Sequence, residues 1–268
     1  MKPVIEVKHL SKIYGKGATA FLALSDINLT INQGESVAIV GKSGSGESTL
    51  MHCLALLDTP SSGTIKIDGI NSTKLSGRKL NRLRNRRFGF VFQQFFMNSN
   101  ETVLENVLLP LKISGTRRKI RKQLALEAIE TVELAEKSRV RSKNLSGGQK
   151  QRVCIARAIV NNPKVLFADE PTGNLDSATG EKIIKLLFDL NHEKGVTLII
   201  VTHDEDLAAL CDRRIRITDG KIIIDEQVNH TKPPVTRLEG ATARGRTKPA
   251  NTPEKKRANA RKQKGVRK

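Results

Sequence analysis

A glycine-rich loop occupies residues 40–49, with the sequence VGKSGSGEST. Its glycines allow the backbone to turn tightly and to point N–H groups inward at a phosphate. In the pattern G-x-x-x-x-G-K-[ST], the hydroxyl of Ser48 binds Mg²⁺ and Thr49 reaches a more distant phosphate. The loop therefore predicts a nucleotide site made of Gly41, Lys42, Ser43, Gly44, Ser45, Gly46, Glu47, Ser48 and Thr49.

One position of this loop departs from the pattern, because Glu47 replaces the lysine that bridges the β- and γ-phosphates. At about 4 Å and an effective dielectric near 20, one charge–charge interaction is worth about 4 kcal/mol. Glu47 replaces this attraction with repulsion, but rotation of the carboxylate into water recovers much of the lost energy. We therefore expect a loss of roughly tens-fold to thousands-fold in nucleotide affinity or hydrolysis rate. Three alternatives remain open: Lys42 compensates for the missing charge, Glu47 attracts Mg²⁺, or Glu47 lies outside the site.

A second group of candidate residues ends the apolar stretch KVLFADEP. Residues 165–168 are apolar and deliver Asp169 to the end of a buried strand, where its carboxylate can hold the hydration shell of Mg²⁺. Glu170 follows directly and is placed to accept a proton from attacking water. Together with the glycine loop, this pair predicts a metal–nucleotide site.

The elements that must position these residues alternate between strands and helices. Apolar or alternating stretches predict strands at VIEVKHLSKIY, INLTI, ESVAIV, RFGFVFQQ, KVLFADEP and TLIIVTHD, with SDIN between the first two. Helical spacing follows the glycine loop in STLMHCLALL and recurs from about 116 to 135, with apolar residues at Ile120, Leu124, Ala128 and Val132. RIRITDGKIIID predicts a closing hairpin that turns at Asp219-Gly220. This order predicts a mainly parallel sheet with ligands at the carboxyl ends of its strands.

Composition indicates the cellular compartment in which the protein works. The 268 residues carry a formal net charge of +20, and 38% are apolar. No apolar run approaches the roughly 18–20 residues needed to cross a bilayer, and the N-terminus lacks a secretory pattern. The three cysteines are odd in number and far apart, which favours a reducing compartment over a disulfide framework. We therefore expect a cytoplasmic protein.

Residues 229–268 form a separate basic tail with 13 Lys/Arg and 2 Asp/Glu. The tail has several prolines and few large apolar residues, so we predict that it is disordered. Its charge suits anionic lipid head groups or nucleic acid. A purely solubilising tail is an equally open interpretation.

The segment LSGGQKQR at residues 145–152 resembles the signature of the ATP-binding cassette (ABC) ATPases of transporters. The resemblance covers about residues 4–226. It implies an α/β fold in which a P-loop NTPase core has a mainly parallel sheet, flanking helices and an antiparallel β subdomain. The ABC-type ATP-binding domain would span residues 1–228, with an inserted helical subdomain at about residues 93–160. The resemblance to this family also rests on Phe92-Gln93, Asn174-Leu175-Asp176, Thr202-His203-Asp204 and the only tyrosine, Tyr14.

The subgroup follows from RFGFVFQQF, ENVLLPL and ADEPTGNLDSATG, which look like cassettes of the lipoprotein-release and macrolide- or peptide-export type. Cassettes of this type work with separate membrane permeases. Residues 139–144 lack the Tyr/His-Pro that usually precedes the signature in this type, which weakens the substrate assignment more than the family assignment.

The resemblance also implies roles for the remaining residues. Two chains would face each other head to tail, each ATP lying between the glycine loop of one chain and the signature of the other. Such a homodimer would dock on an integral membrane permease at the cytoplasmic face of the cell membrane. The implied catalytic residues are Glu170, His203 and Gln93, and the implied Mg²⁺ ligands are Ser48, Gln93 and Asp169. Tyr14 would stack on adenine, and Asp176 would cross the dimer interface. The signature consists of Ser146, Gly147, Gly148 and Gln149.

Three functions compete at this point. The leading one is an ATPase subunit of a transporter whose hydrolysis is impaired by Glu47. The second is a non-hydrolysing, nucleotide-binding regulatory subunit. The third is a nucleic-acid-associated cassette protein, which the positive charge of the basic tail suggests. Relatives of that third kind carry two cassettes or long coiled coils, and neither is present in this sequence, so we expect no nucleic acid partner.

Overall fold

Two β-sheets form the framework of the protein, in a computed structural model that describes residues 2–42 and 44–228. The first sheet is antiparallel with the order β2-β1-β4-β5, and its strands are β1 (Pro3–Tyr14), β2 (Phe21–Asn32), β4 (Ser62–Ile67) and β5 (Ile70–Asn71). The second has the order β10-β9-β3-β8-β7-β6, and its strands are β3 (Ser36–Gly41), β6 (Phe88–Phe92), β7 (Val165–Asp169), β8 (Thr197–Val201), β9 (Arg213–Thr218) and β10 (Lys221–Gln227). All its neighbours are parallel except the β9–β10 hairpin.

Helices connect and cover these strands. They are α1 (Glu47–Leu54), α2 (Gly77–Arg87), α3 (Val103–Ile113), α4 (Arg118–Thr131), α5 (Gly147–Ile159), α6 (Ser177–Lys194) and the short α7 (Glu205–Ala208). Helices α3 and α5 each begin with a capping box, in which the side chain before the helix and the third helical side chain satisfy two free backbone N–H groups. Among the described helices, none is both long and apolar enough to cross a bilayer.

The parallel sheet separates two apolar cores. Val37 and Ile39 of β3 face the antiparallel sheet and α1, whereas Ala38 and Val40 face the core formed with α3 to α6. Strands β3, β7 and β8 are therefore covered on both faces, which explains why they are continuous apolar runs rather than alternating ones. The predicted α/β fold with an additional antiparallel sheet is confirmed.

Several local predictions need correction. The segment SDIN lies inside strand β2, because β2 pairs along almost the whole length of β1. Helix α1 ends at Leu54, earlier than the apolar spacing suggested. In α4, the chain buries Ala125, Ala128 and Ile129, whereas Ile120 is 47% exposed. The stripe that faces the core thus begins later in this helix than predicted.

The closing hairpin is confirmed. Asp219 and Gly220 both adopt positive φ angles, 48° and 72°, at the turn between β9 and β10. Such angles suit the tight two-residue turn that the Asp-Gly pair predicts.

The predicted helical subdomain contains α3, α4 and α5, which pack into the same apolar core as one face of the parallel sheet. Its boundaries at about 93–160 stay a prediction. The predicted disordered tail, residues 229–268, lies outside the described residues.

Candidate functional site

The predicted site residues of the sheet gather at one edge. Phe92 is in register with Asp169, Asp169 with Val201, and Val201 with Ile39. These strands run parallel, so the segments that follow β6, β7, β8 and β3 all emerge at their carboxyl ends. The four segments contain the glycine loop and every residue predicted to act on the triphosphate within one chain.

The glycine loop is fixed to the β9–β10 hairpin. The hydroxyl of Ser45 donates to the carbonyl of Ile217 at 3.0 Å, and the N–H of Gly220 donates to the carbonyl of Ser45 at 2.9 Å. Gly46 has a φ of 112°, and a Cβ there would lie only 2.8 Å from the carbonyl oxygen of Ala23. Only glycine fits this close approach, so the loop enters α1 in a single, supported conformation.

Glu47 is the first residue of α1, and its side chain turns back over the loop. An ideal Cβ on Gly41 would lie 2.5 Å from Oε1 of Glu47, so the carboxylate rests against the glycine that opens the loop. The side chain is half-buried rather than directed into water. This position places a negative charge at the positive end of α1, where a phosphate group would otherwise lie.

The other loop positions are distributed around this carboxylate. Lys42, Gly44 and Ser48 are exposed, Ser45 is buried and Thr49 is half-buried. Ser43 lies outside the described residues. The loop therefore presents the Ser48 hydroxyl openly, while its own backbone is held from behind.

Tyr14 contacts the segment that follows α1. Its hydroxyl donates to Asp58 at 2.7 Å, four residues after the helix ends at Leu54. Burial raises the pKa of Tyr14, and the hydrogen bond to Asp58 acts in the same direction. Lys12 holds the other side, with its ammonium 4.7 Å from the ring centroid. Tyr14 is 40% exposed and so retains a free surface.

Glu170 and His203 are in direct contact. Oε1 of Glu170 lies 2.6 Å from Nδ1 of His203 and accepts the backbone N–H of His203 at 2.9 Å. The hydroxyl of Thr202 donates to Oε2 at 3.3 Å. The Glu170 side chain is 22% exposed and that of His203 is 82% exposed, so the carboxylate is sheltered while its histidine partner lies at the surface.

The backbone of Glu170 is strained, since its φ of 44° is rare for a residue with a side chain. Its N–H donates to the carbonyl of Val201 at 3.0 Å, and its carbonyl accepts the N–H of Gly173 at 3.1 Å. These bonds hold the strained conformation and fix the direction in which the carboxylate points.

Asp169 ends β7 and is partly buried. Burial raises its pKa, the nearby His52 acts against this shift, and Glu170 adds to it. The potential Mg²⁺ ligands Ser48, Gln93 and Asp169 offer a hydroxyl, an amide oxygen and a carboxylate, all hard oxygen donors that suit this ion. Within the described residues no group of three or more His, Cys, Asp or Glu is close enough to hold a metal. The donor set thus fits an ion that takes its remaining ligands from phosphates and water.

Gln93 follows β6 and lies against the segment after Glu170. A Cβ on Gly173 would lie 2.6 Å from Nε2 of Gln93, and the side-chain amide of Asn174 donates to the Gln93 carbonyl at 2.9 Å. The structure therefore places Gln93 beside the strand end that carries Asp169 and Glu170.

Sequence reasoning missed Gln151, which is 1% exposed. From helix α5, its Nε2 donates to the carbonyl of Pro171 at 2.7 Å and to that of Phe92 at 3.3 Å. It therefore joins the signature helix to the segments that carry Gln93 and Glu170. Helical periodicity could have revealed this position, because Gln151 precedes the buried Cys154 and Ile155 by one turn.

The signature residues lie at the beginning of α5. Ser146 caps the helix by accepting the N–H of Gln149, and the Gln149 side chain accepts the N–H of Ser146 at 3.1 Å. Gly147 and Gly148 are the first two helical residues. Gly147 is exposed and Gly148 is half-buried. The N–H groups of the first turn and the positive helix end form an arrangement that can receive a phosphate.

Asp176 lies next to the signature. It caps α6 by accepting the N–H of Thr179 at 3.0 Å, and the hydrogen bonds from Thr179 lower the pKa of Asp176. A Cβ on Gly148 would lie 2.3 Å from Cγ2 of Thr179, so the two helix ends are closely packed. Among the described residues, no hydrogen bond joins this second group to the glycine loop.

Comparisons with known proteins agree on one family. The family model described as ABC transporter matches residues 24–173. The lipoprotein-releasing system ATP-binding protein LolD of Bordetella pertussis is 44% identical over 220 residues, which cover 82% of this chain and 95% of that protein. The macrolide export ATP-binding/permease protein MacB of Aggregatibacter actinomycetemcomitans is 44% identical over 229 residues, or 85% of this chain and 35% of that protein. The chain thus spans about a third of the length of this relative.

The solved structures give the same result. The dimeric structure of a post-hydrolysis state of the ATP-binding cassette MJ0796, bound to ADP and Pi, is similar with a TM-score of 0.77 and 41% identity. The match covers 84% of this chain and 99% of that one. The similarity therefore extends over most of this chain and over nearly all of that cassette.

Proposed function

The chain belongs to the ABC transporter family of ATPases, and we propose that it is the ATP-binding subunit of a transporter of the lipoprotein-releasing or macrolide-export type. In this role it binds ATP and Mg²⁺ and acts on a separate membrane permease. The contact between Glu170 and His203, at the sheet edge that also carries Asp169 and the glycine loop, is the observation that supports this function best.

The proposed hydrolytic step depends on Glu170 as the general base. Its carboxylate accepts a proton from the water that attacks the γ-phosphate, while His203 leaves Oε1 and turns toward the phosphate. The high exposure of His203 gives its side chain room for this movement. Ser48, Gln93 and Asp169 would hold Mg²⁺, which neutralises charge on the phosphates when bound.

Glu47 is expected to slow this reaction in the chain as it stands. Its carboxylate lies against Gly41, at the helix end that should attract the phosphates, and it repels them instead. The test is a phosphate-release assay of the chain beside its Glu47→Lys variant. We expect the variant to hydrolyse ATP at least roughly tenfold faster.

The exposed Glu136→Lys variant, which makes the same change of charge elsewhere, is the control and should leave the rate unchanged. If neither Glu47→Lys nor the original chain hydrolyses ATP while both bind it, the regulatory-subunit function replaces this one.

We further propose a head-to-tail homodimer in which the signature of each chain closes on the nucleotide of the other. Support comes from the exposed first residue of the signature helix, Gly147, and from the lack of any hydrogen bond between the signature and the glycine loop among the described residues. The similar cassette MJ0796 is described as dimeric.

The permease contact is proposed at an apolar groove of 480 Å³ between α2, β6 and α3. Leu57, Phe96, Leu109 and Ile113 line it and are 41 to 67% exposed, an unusual degree for large apolar side chains that lie together. Docking there would place the chain on the cytoplasmic face of the cell membrane. The variant Leu109→Glu should then reduce recovery of the chain with the membrane fraction, and unchanged recovery would remove the groove from this role.

A contact between anionic lipids and the basic tail is also proposed, from composition alone, since residues 229–268 lie outside the described residues.

A further inference from the structure

We propose that helix α2, the turn between α3 and α4 and the beginning of α4 form a second membrane contact, a surface that binds the phosphate groups of an anionic lipid bilayer. This basic face, as we call it, consists of the exposed Arg78, Lys79, Arg82, Arg86, Arg117, Arg118, Lys119 and Lys122. It belongs to the folded part of the chain and is distinct from the basic tail. Its orientation toward the membrane rests on the proposed permease contact.

The basic face is produced by two segments that contain no acidic residue. Residues 69–100 and 106–126 lack Asp and Glu altogether. Their basic residues are Lys74, Arg78, Lys79, Arg82, Arg84, Arg86, Arg87, Lys112, Arg117, Arg118, Lys119, Arg121 and Lys122. An ordinary soluble surface mixes both signs, so this one-sided composition produces a local positive potential.

Few of these charges are balanced within the described residues. Asp68 forms ion pairs with Arg87 at 3.1 Å and with Lys164 at 2.9 Å. Arg84 donates to the carbonyl of Leu56, and Arg121 to that of Thr116. No ion pair within the described part of the chain involves a member of the basic face. These side chains are therefore available to an external anion.

Two concavities bring five of the eight members of the basic face together on one side of the molecule. One has a volume of 470 Å³ and lies between α2 and the end of α3, where Arg78, Lys79, Arg82 and Arg86 line it. The other, of 670 Å³, includes Arg86 and Arg117. Both contain Arg86, Ser114 and Gly115, so they are neighbours on a continuous surface. Guanidinium groups around such depressions suit phosphate, which they bind through paired hydrogen bonds.

The position of the face favours a bilayer over other polyanions. Asn81, Asn85 and Ile113 line both the first concavity and the apolar groove proposed for the permease. A permease segment in that groove would therefore bring the basic face close to the lipid head groups. Ile113 and Ile120 are 67% and 47% exposed among the basic residues, and such apolar side chains can enter the boundary between head groups and acyl chains.

Nucleic acid fits this surface less well. Single-stranded nucleic acids bind with aromatic side chains that stack on their bases. Residues 69–87 and 106–126, which supply the basic face, contain no Phe, Tyr or Trp. The one-sided charge combined with aliphatic side chains is instead typical of an interfacial membrane contact.

The test measures sedimentation of the full chain with vesicles made of equal parts phosphatidylglycerol and phosphatidylcholine. The variant Arg78→Gln/Arg82→Gln/Arg86→Gln removes three charges from the basic face. The control Lys137→Gln/Lys182→Gln/Lys194→Gln removes three exposed charges elsewhere and keeps the same net charge. We expect a fall in partition coefficient of roughly 10- to 100-fold for the first variant and of less than about threefold for the control. Pure phosphatidylcholine vesicles should bind none of the proteins.

Equal losses in the two variants would overturn the proposal, because binding would then depend on net charge or on the tail alone. A second measurement uses a fluorophore on Ile120→Cys and one on Lys182→Cys, since the three native cysteines are buried. Lipids with a quencher at the acyl boundary should quench only the first label, and equal quenching would also contradict the proposal. A duplex DNA that competes only with the unaltered chain, while vesicle binding is unchanged in the first variant, would assign the face to nucleic acid instead.

The measurement is independent of the proposed function, since vesicle binding requires neither a permease nor ATP turnover. Absence of ATP hydrolysis in both the original chain and the Glu47→Lys variant would contradict the ATPase function and leave the vesicle result unaffected.

Discussion

Nδ1 of His203 lies 2.6 Å from Oε1 of Glu170, and the same oxygen accepts the backbone N–H of His203. Two contacts from one residue fix a carboxylate whose backbone has the rare positive φ of 44°. The histidine is exposed and the carboxylate is sheltered, so nucleotide can reach the histidine first. This pair connects the segments that follow β7 and β8, so a movement of His203 would directly change the surroundings of the Glu170 carboxylate.

We predict that Glu170 is the general base. In the Glu47→Lys background, Glu170→Gln should lower the hydrolysis rate by roughly 100-fold or more, because the amide cannot accept the proton of water. ATP binding should persist, so closed dimers should accumulate with ATP in analytical ultracentrifugation. The exposed Glu181→Gln is the control and should turn over normally. Normal turnover of Glu170→Gln would remove this residue from the role.

We predict that Asp169→Asn stabilises the nucleotide-free protein. Burial raises the pKa of Asp169 above the usual 3.8, so folding favours the protonated carboxyl. Its stabilising contribution is complete below pH 3.8 and is lost as the pH rises through the higher folded value. At neutral pH the ionised group is a net cost, and its removal should add about 1 kcal/mol, or roughly 2–4 °C in Tm.

The advantage of Asp169→Asn should shrink toward acid pH, and the variant should lose Mg²⁺-dependent stabilisation by nucleotide. Asp219→Asn, in an exposed turn that tolerates asparagine, is the control. Equal Tm values for Asp169→Asn and the original chain at neutral pH would contradict the prediction.

We predict that Glu47 weakens ATP binding more than ADP binding. The backbone of the loop, Ser48 and Tyr14 can bind either nucleotide without a lysine ammonium. Only ATP has a γ-phosphate, which should be the group that the Glu47 carboxylate repels most directly. Calorimetric titration of both nucleotides into the original chain and into Glu47→Lys should show a larger gain for ATP. An equal gain for the two nucleotides would place the effect of Glu47 away from the γ-phosphate.

We predict that Gln151 stabilises the site as well as the fold. Gln151→Leu leaves the buried carbonyls of Phe92 and Pro171 without their donor, which should lower the free energy of unfolding by about 1–3 kcal/mol. Gln123→Leu on the exposed side of α4 should change it by less than about 0.5 kcal/mol. Urea denaturation measures both, and similar values would show that the Gln151 bonds contribute little.

We predict that deletion of residues 229–268 weakens binding to acidic vesicles, because it removes 13 basic residues. Nucleotide binding should stay the same, since none of the site residues belongs to the tail. The measurement is vesicle sedimentation at low and high salt. Binding that responds neither to the deletion nor to salt would exclude the tail from membrane contact.

Much of the strand framework could be predicted, because β3, β7 and β8 are short apolar runs that end in polar residues. The mainly parallel order was predicted from the succession of strand, polar loop and helix, although α6, which joins β7 to β8, was not among the predicted helices. The glycine loop marked one end of the sheet. The extent of β2 could not be read from SDIN, since its pairing with β1 depends on a partner elsewhere in the chain. The same holds for Gln151, whose role arises only when α5 packs on the ends of β6 and β7.

The position of the Glu47 side chain could not be predicted from the sequence either. Reasoning from charge alone directs the carboxylate toward water, whereas the structure turns it onto Gly41. The absence of a Cβ at residue 41 provides the space, and local geometry of this kind depends on the folded loop rather than on residue types.

The hydrogen bonds that hold the glycine loop have a consequence for the order in which the protein is made. Ser45 is supported by Ile217, which lies 172 positions later in the chain, and by the neighbouring turn at Gly220. Protein synthesis delivers the N-terminal part first, so the loop leaves the ribosome long before its support exists. A nascent chain that stops before residue 213 contains the whole loop and none of the hairpin. We therefore expect the loop to reach its supported conformation late, after almost the entire described chain has been translated.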